Sequence, residues 1–129
     1  MGHMLRLVLW CLWGLWLSLP TALVRALPLV PRPPVFAFAQ SLFTAGEYYR
    51  AIGEFQRFLF FQPEHPLAAE AQLTIGLAYF CGERWLQAFE VFRRIARTGP
   101  DNAMQAEAAL WMAETHARTI EGFGIFQRD

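Results

Sequence analysis

Apolar residues recur at intervals of three and four along most of the chain after residue 34. The clearest stripe consists of Trp85, Ala88, Phe89, Phe92 and Ile95. This spacing places the side chains on one face of an α-helix, whereas a half-buried strand alternates at every second residue. Gly82 stands before the stripe and Gly99-Pro100 follows it, where such residues end helices. The pattern therefore predicts an all-α fold.

The predicted helices form pairs that are joined by short turns. One helix begins near Pro66 and ends at Gly82, and its apolar positions are Leu73, Gly76, Leu77 and Phe80. The second helix of that pair carries the stripe described above. An earlier pair has the same layout around a turn at Gly46, and its first helix has an apolar stripe of Phe38, Ala39 and Leu42. A third unit contains one helix, from Asn102 to about Arg118, after which residues 119–126 break the helical pattern.

The pairs are copies of one another in sequence. A shift of 37 residues superposes Ala51 on Ala88, Phe55 on Phe92, Pro63 on Pro100 and Leu73 on Leu110. The same shift carries Ala69-Glu70-Ala71 onto Ala106-Glu107-Ala108. Identities that coincide at one offset predict an internal repeat of helical hairpins.

These offsets resemble the tetratricopeptide repeat family, whose pattern is W-x2-L-G-x2-Y, then A-x3-F, then P. The central unit reads Gln72-x2-Ile75-Gly76-x2-Tyr79, then Ala88-x3-Phe92, then Pro100. The first unit reads Val35-x2-Phe38-Ala39-x2-Leu42, then Ala51-x3-Phe55, then Pro63. The third unit matches only with Ala109-x2-Met112-Ala113-x2-His116.

The resemblance implies a solenoid of about two and a half repeats within residues 35–129, with units near 35–63, 66–100 and, in part, 102–118. It assigns packing between helices to Ala39, Ala51, Phe55, Pro63, Gly76, Tyr79, Ala88, Phe92 and Pro100. The entry Pro63-x-x-Pro66-x-Ala68-x-Glu70-Ala71 is similar to the repeat domains of bacterial envelope proteins, such as the outer-membrane β-barrel assembly lipoprotein and the Tol-Pal coordinator. In this family the first helix of each hairpin lines a groove, which places Glu70, Leu73, Leu77, Phe80, Leu110 and Glu114 in it.

The N-terminal residues 1–26 are typical of an export signal. A basic start with Arg6 precedes residues 7–19, which carry no charge, and Val24-Arg25-Ala26 provides a cleavage site. If the segment is not cleaved, the uncharged residues 7–24 are near the lower length limit for a membrane anchor. Residues 27–34 contain four prolines and predict an extended tether.

Composition and charge reduce the number of function classes that fit the sequence. All basic residues are arginines, and after residue 26 there are nine of them against eleven acidic residues, spread along the chain. Because nucleic-acid binding needs clustered positive charge, that class is excluded. No residues at catalytic or ligand spacing surround His65 or His116, and Cys81 is interpreted as a small core residue, so we expect no metal, no cofactor and no enzymatic activity.

The sequence thus predicts a non-catalytic module that binds a protein or peptide in the bacterial cell envelope, exported to the periplasm. The alternative is an accessory subunit anchored to the inner membrane by an uncleaved N-terminus. The apolar groove equally suits contact with the tether or with a second copy of the chain. A further feature is the sequence Phe58-Leu59-Phe60-Phe61, which is apolar on every side of its helix. It predicts either complete burial or an exposed patch for a partner or a membrane.

Export makes a direct prediction about the mature N-terminus. Because Ala26 occupies the position before the scissile bond, cleavage there would leave a chain that begins at Leu27. N-terminal sequencing of the protein from a native envelope fraction measures this, and we expect Leu27 as the first residue. Recovery of an intact N-terminus in the membrane fraction would instead support the anchor.

Overall fold

The computed structural model describes residues 30–126, with side-chain surroundings for residues 30–121. This part of the chain forms five α-helices and no strand, which confirms the all-α prediction. The helices are α1 (Pro34–Thr44), α2 (Tyr48–Phe61), α3 (Ala68–Cys81), α4 (Trp85–Thr98) and α5 (Asn102–Phe126).

Each helix packs mainly against the helix that follows it in the chain. Because the connections are short, consecutive helices run antiparallel, and the fold has two ends. The turns at residues 45–47 and 82–84 lie at one end, which we call the turn end. The start of α1, the connectors 62–67 and 99–101 and the end of α2 lie at the other, which we call the entry end. Arg32 beside Glu70 marks the entry end, and Tyr49 beside Gly82 marks the turn end.

The internal repeat extends to the backbone hydrogen bonds of the turns. In the first hairpin the Glu47 N–H donates to the Leu42 carbonyl over 2.9 Å, and in the second the Arg84 N–H donates to the Tyr79 carbonyl over 2.8 Å. These pairs differ by the same 37 residues as the sequence identities. Gly46 has φ +80° and its equivalent, Glu83, has φ +60°. Glycine adopts this left-handed conformation without cost, whereas a residue with a side chain is strained by about 1–2 kcal/mol there.

The first hydrophobic core lies between α1, α2 and α3. The rings of Phe55 and Phe58 both meet Phe36 edge-on, with centroids 5.4 and 5.3 Å apart, and all three are fully buried. Edge-to-face contacts of this kind are the favoured aromatic geometry. The sequence placed Phe38 in the α1 stripe, but Phe38 is 47% exposed. The stripe instead continues from Phe36 through Ala39 to Leu42, because this face of α1 packs against Phe55 and Phe58 of α2.

The second hydrophobic core lies between α3, α4 and α5. Its buried members are Leu73, Ala88, Phe92, Ile95 and Ala108. Tyr79 and Val91 contact both cores and join them. The predicted packing positions Ala39, Ala51, Phe55, Gly76, Ala88 and Phe92 are all buried, Tyr79 is half-buried, and Pro63 and Pro100 are exposed in the connectors.

The last helix is longer than the sequence predicted. We expected it to end near Arg118, but α5 continues to Phe126. The Thr119 hydroxyl donates to the Thr115 carbonyl one turn earlier over 2.9 Å, so this threonine is accommodated within the helix. The segment contains no proline, and the two glycines in it lower helix propensity without ending the helix.

Gly76 lies at a tight contact between α3 and α4. A Cβ atom added to Gly76 would lie 2.6 Å from Cε1 of Phe92, a ring with no exposed surface. Because the ring is buried, an added methyl group would force the ring or the two helices to shift.

Replacing Gly76 with Ala should therefore lower the free energy of unfolding by about 1–3 kcal/mol. Gly53 is the matched control, since it is also inside a helix but has no atom within 4 Å of an added Cβ. The Gly53→Ala variant should be more stable by about 0.5–1 kcal/mol, because alanine favours the helix. Urea denaturation followed by circular dichroism measures both. Equal effects of the two substitutions would contradict the close approach at Gly76.

Candidate protein-binding surface

An open depression lies between the end of α3 and the middle of α5. Its lining residues are Phe80, Glu107, Leu110, Trp111, Glu114 and Arg118. We call it the α3–α5 groove. It contains three of the six residues that the family resemblance assigned to a groove, namely Phe80, Leu110 and Glu114.

The floor of the α3–α5 groove is aromatic. The Phe80 ring meets Trp111 edge-on with centroids 5.3 Å apart, and it meets Trp85 in the same way at 5.1 Å. Trp111 in turn stacks on the buried Phe92 ring, with centroids 6.1 Å apart and planes 22° apart. Phe80 and Trp111 are only partly covered, so they present apolar surface to the groove while the core holds their backs.

Leu110 supplies the most exposed apolar side chain of the groove. It is 73% exposed, whereas Leu73, its equivalent one repeat earlier, is 8% exposed. Leu73 packs against the core of α4 and α5, and no described helix follows α5 to cover Leu110 in the same way. The repeat therefore explains why one leucine belongs to the core and the other to the surface.

Carboxylates form the rim of the groove. Glu107 and Glu114 lie on either side of Leu110 along α5, and both are exposed. Arg118 donates a hydrogen bond from Nε to Oε1 of Glu114 over 3.0 Å. That bond, together with the charge of Glu114, raises the pKa of Arg118. The salt bridges of residues 30–121 leave Glu107 without a partner, so the rim carries one carboxylate that is not neutralised nearby.

The remaining predicted groove residues lie elsewhere. Leu73 is in the core, and Leu77 is half-buried against the same core. Glu70 lies at the entry end, where its Oε1 is 3.8 Å from the Arg32 guanidinium. Arg32 also donates to the Gln40 side chain over 3.3 Å and lies over the Phe36 ring. The proline-rich segment thus contacts one end of the predicted strip, at Glu70, while the α3–α5 groove stays open.

The sequence did not lead us to place Glu107, Trp111 or Arg118 in the groove. The repeat offset gives Glu107 as the equivalent of Glu70, so this residue could have been found. Trp111 is equivalent to Thr74, a buried residue, and nothing in the repeat pattern indicates an aromatic side chain there. Cys81 was expected in the core but is exposed, because it is the last residue of α3.

The part of the chain that the structure describes offers no cluster of three metal-ligating side chains. His65 instead accepts a hydrogen bond at Nδ1 from the Leu67 N–H over 3.1 Å and packs on Phe58. His116 lies beside the Phe89 ring. Within residues 30–126, no helix is both long enough and apolar enough to cross a membrane.

The chain was compared with known proteins in three ways: a scan against models of protein families, a search of curated proteins and a search of solved structures each found no match. What the α3–α5 groove can bind therefore has to follow from its own geometry and chemistry.

The different settings of the two equivalent leucines can be tested directly. Leu73→Glu places a charge in the core without a partner and should unfold the domain. Leu110→Glu places the same charge on the surface and should leave the helical circular dichroism signal and the unfolding midpoint nearly unchanged. Thermal unfolding of both variants is the measurement. A folded Leu73→Glu variant would show that Leu73 lies in the open groove and not in the core.

Proposed function

We propose that this chain is a non-catalytic module that binds another protein, and that the α3–α5 groove is its binding site. The observation that carries the proposal is the 73% exposed Leu110 above a floor of Phe80 and Trp111. Large aromatic side chains that are held from behind and exposed in front are typical of the centres of protein interfaces. Polar residues at the rim complete this arrangement.

The shape of the groove favours a chain segment over a small molecule. Small-molecule sites are enclosed pockets that bury most of their ligand, whereas this depression is open along α5. An amphipathic helix or an extended peptide can place two or three apolar side chains on such a floor. The carboxylate of Glu107 favours a basic side chain next to those anchors, because no described residue neutralises it.

The repeated turns support a tetratricopeptide-like arrangement. The same backbone hydrogen bonds recur in both hairpins at the offset of the sequence identities. Helices that pack on their neighbours in the chain are the building principle of helical-repeat proteins. We therefore propose a short solenoid of the tetratricopeptide type, in which the first helices of the hairpins, α3 and α5, carry the groove.

For location we propose export to the periplasm, on the basis of the basic start, the uncharged residues 7–19 and Ala26. An accessory subunit anchored in the inner membrane is the second candidate, and the uncharged stretch of residues 7–24 favours it. In both cases the binding module follows the N-terminal segment and the proline-rich tether.

Selection from a random peptide library on the immobilised protein tests the groove and its chemistry. We expect the selected peptides to combine two or more large apolar residues with an arginine or lysine. Leu110→Glu should abolish their binding, because it replaces the most exposed apolar side chain of the groove with a charge. Glu107→Lys should weaken the binding of the basic peptides by about 1.5- to 5-fold, since an exposed ion pair is worth about 0.2–1 kcal/mol.

The chain offers a matched control for Leu110. Leu86 is 72% exposed on α4 and lies outside the groove, so Leu86→Glu should bind the peptides as the unchanged protein does. Equal loss of peptide binding in both variants would show that the α3–α5 groove is not the binding site. Sedimentation that shows a dimer broken by Leu110→Glu would identify a second copy of the chain as the occupant and would contradict a foreign partner.

A further inference from the structure

The end of α2 carries an exposed aromatic pair. Phe60 is 79% exposed and Phe61 is 69% exposed, and their rings meet edge-on with centroids 5.2 Å apart. Phe58 is buried and Leu59 is half-buried, so the core needs only the first two residues of this apolar sequence. Of the two alternatives that the sequence left open, the structure shows the exposed patch among its described residues.

The internal repeat shows that this patch is not part of the packing pattern. The residues equivalent to Phe60 and Phe61 in the second hairpin are Arg97 and Thr98, both of which are exposed. Polar side chains occupy this position in one hairpin, and two exposed phenylalanines occupy it in the other. Exposing apolar rings to water is unfavourable in free energy, so the pair is expected to contact an apolar environment outside the fold.

Arg94 and Arg97 lie at the entry end of α4, the second helix of the next hairpin. Leu59 and Arg94 line one crevice between α2 and α4, and Arg97 follows Arg94 by one turn. Neither Arg94 nor Arg97 takes part in a salt bridge of residues 30–121. A surface that combines exposed aromatic rings with unpaired arginines suits the interface of a bilayer with anionic headgroups.

The position of the pair in the fold points to the same environment. Because α1 and α2 are antiparallel, Phe60 and Phe61 lie at the entry end, where the chain arrives from residues 1–29. Residues 7–24 of that part carry no charge. The nine residues between Val24 and Pro34 span at most about 30 Å when extended. If residues 7–24 are held in a bilayer, the entry end stays within that distance of the bilayer surface.

We propose that Phe60 and Phe61, with Arg94 and Arg97, form a contact surface for an anionic phospholipid bilayer. The two rings enter the boundary between headgroups and acyl chains, and the arginines bind headgroup phosphates. This contact orients the entry end of α2 and α4 towards the membrane, whereas the α3–α5 groove is formed by the other two helices, α3 and α5. The proposal uses a different surface and a different partner from the protein-binding site.

A fluorescent reporter beside the pair tests this contact in the full chain. Cys11 and Cys81 are changed to Ser, and Gln62, the exposed residue after Phe61, is changed to Cys and labelled with an environment-sensitive dye. The protein is reconstituted in vesicles of phosphatidylethanolamine and phosphatidylglycerol that contain nitroxide-labelled lipid. We expect blue-shifted emission and strong quenching by the nitroxide.

The matched control places the reporter at Gln87, next to Leu86 at the turn end, and there we expect emission typical of water and no quenching. The double variant Phe60→Ser/Phe61→Ser should abolish the quenching at position 62, while Leu86→Ser should not change it. Arg94→Gln/Arg97→Gln, or vesicles of phosphatidylcholine alone, should reduce the quenching. Circular dichroism of each variant verifies folding.

Three results would overturn the proposal. Emission typical of water at position 62 in vesicles would show that the pair does not reach the bilayer. Quenching that persists in the double serine variant would mean that the N-terminal segment alone brings this end to the membrane. A blue shift that appears without vesicles and grows with protein concentration would assign the pair to contact with a second copy of the chain.

Discussion

The close approach of the α3 backbone to the Phe92 ring at Gly76 is the constraint on which the described structure depends. It fixes the distance between the two helices of the second hairpin. Phe92 then supports Trp111 by stacking, and Trp111 supports Phe80 edge-on. The floor of the α3–α5 groove is thus an extension of the core, ordered by the position of one glycine.

The two aromatic pairs at the surface, Phe80 with Trp111 and Phe60 with Phe61, differ in how the core supports them. Phe80 and Trp111 are supported by buried rings, so their exposed faces are held in place. Phe60 and Phe61 contact each other beyond the end of the first core, and the repeat does not require them. The two surfaces lie on different helices, since the groove belongs to α3 and α5 and the phenylalanine pair belongs to α2. One short chain can therefore present two unrelated surfaces.

The sequence predicted much of the fold because its signals are local and repeated. Helical spacing, the breakers at Gly46, Gly82 and Gly99, and the 37-residue offset gave the helices and their pairing. Periodicity alone did not predict two details, namely which face of α1 is buried and where α5 ends. Phe36 and Phe38 both fit a helical stripe, and only the packing of Phe36 against Phe55 and Phe58 of α2 decides between them. The end of α5 was placed too early, because glycine weakens a helix without ending it.

The groove was predicted only in part, for a physical reason. The repeat treats Leu73 and Leu110 as equal, and what separates them is that Leu73 packs in the core with α4 and α5, whereas no described helix follows α5. Burial of this kind depends on the neighbouring helices and not on the residue itself. The repeat pattern did not predict an aromatic residue at position 111, because the equivalent residue of the previous repeat is Thr74.

Packing between neighbours in the chain also bears on how the protein folds. Because almost all tertiary contacts join consecutive helices, the loops that must close during folding are short and the relative contact order is low. Chains of this topology fold rapidly, and either hairpin can form first. Opening is equally local: α5 packs on α4 and, through Trp111, on Phe80 of α3, so it can detach while the first core stays intact. The groove would then disappear in an event much smaller than global unfolding, and its occupancy by a partner would be coupled to the stability of a single helix.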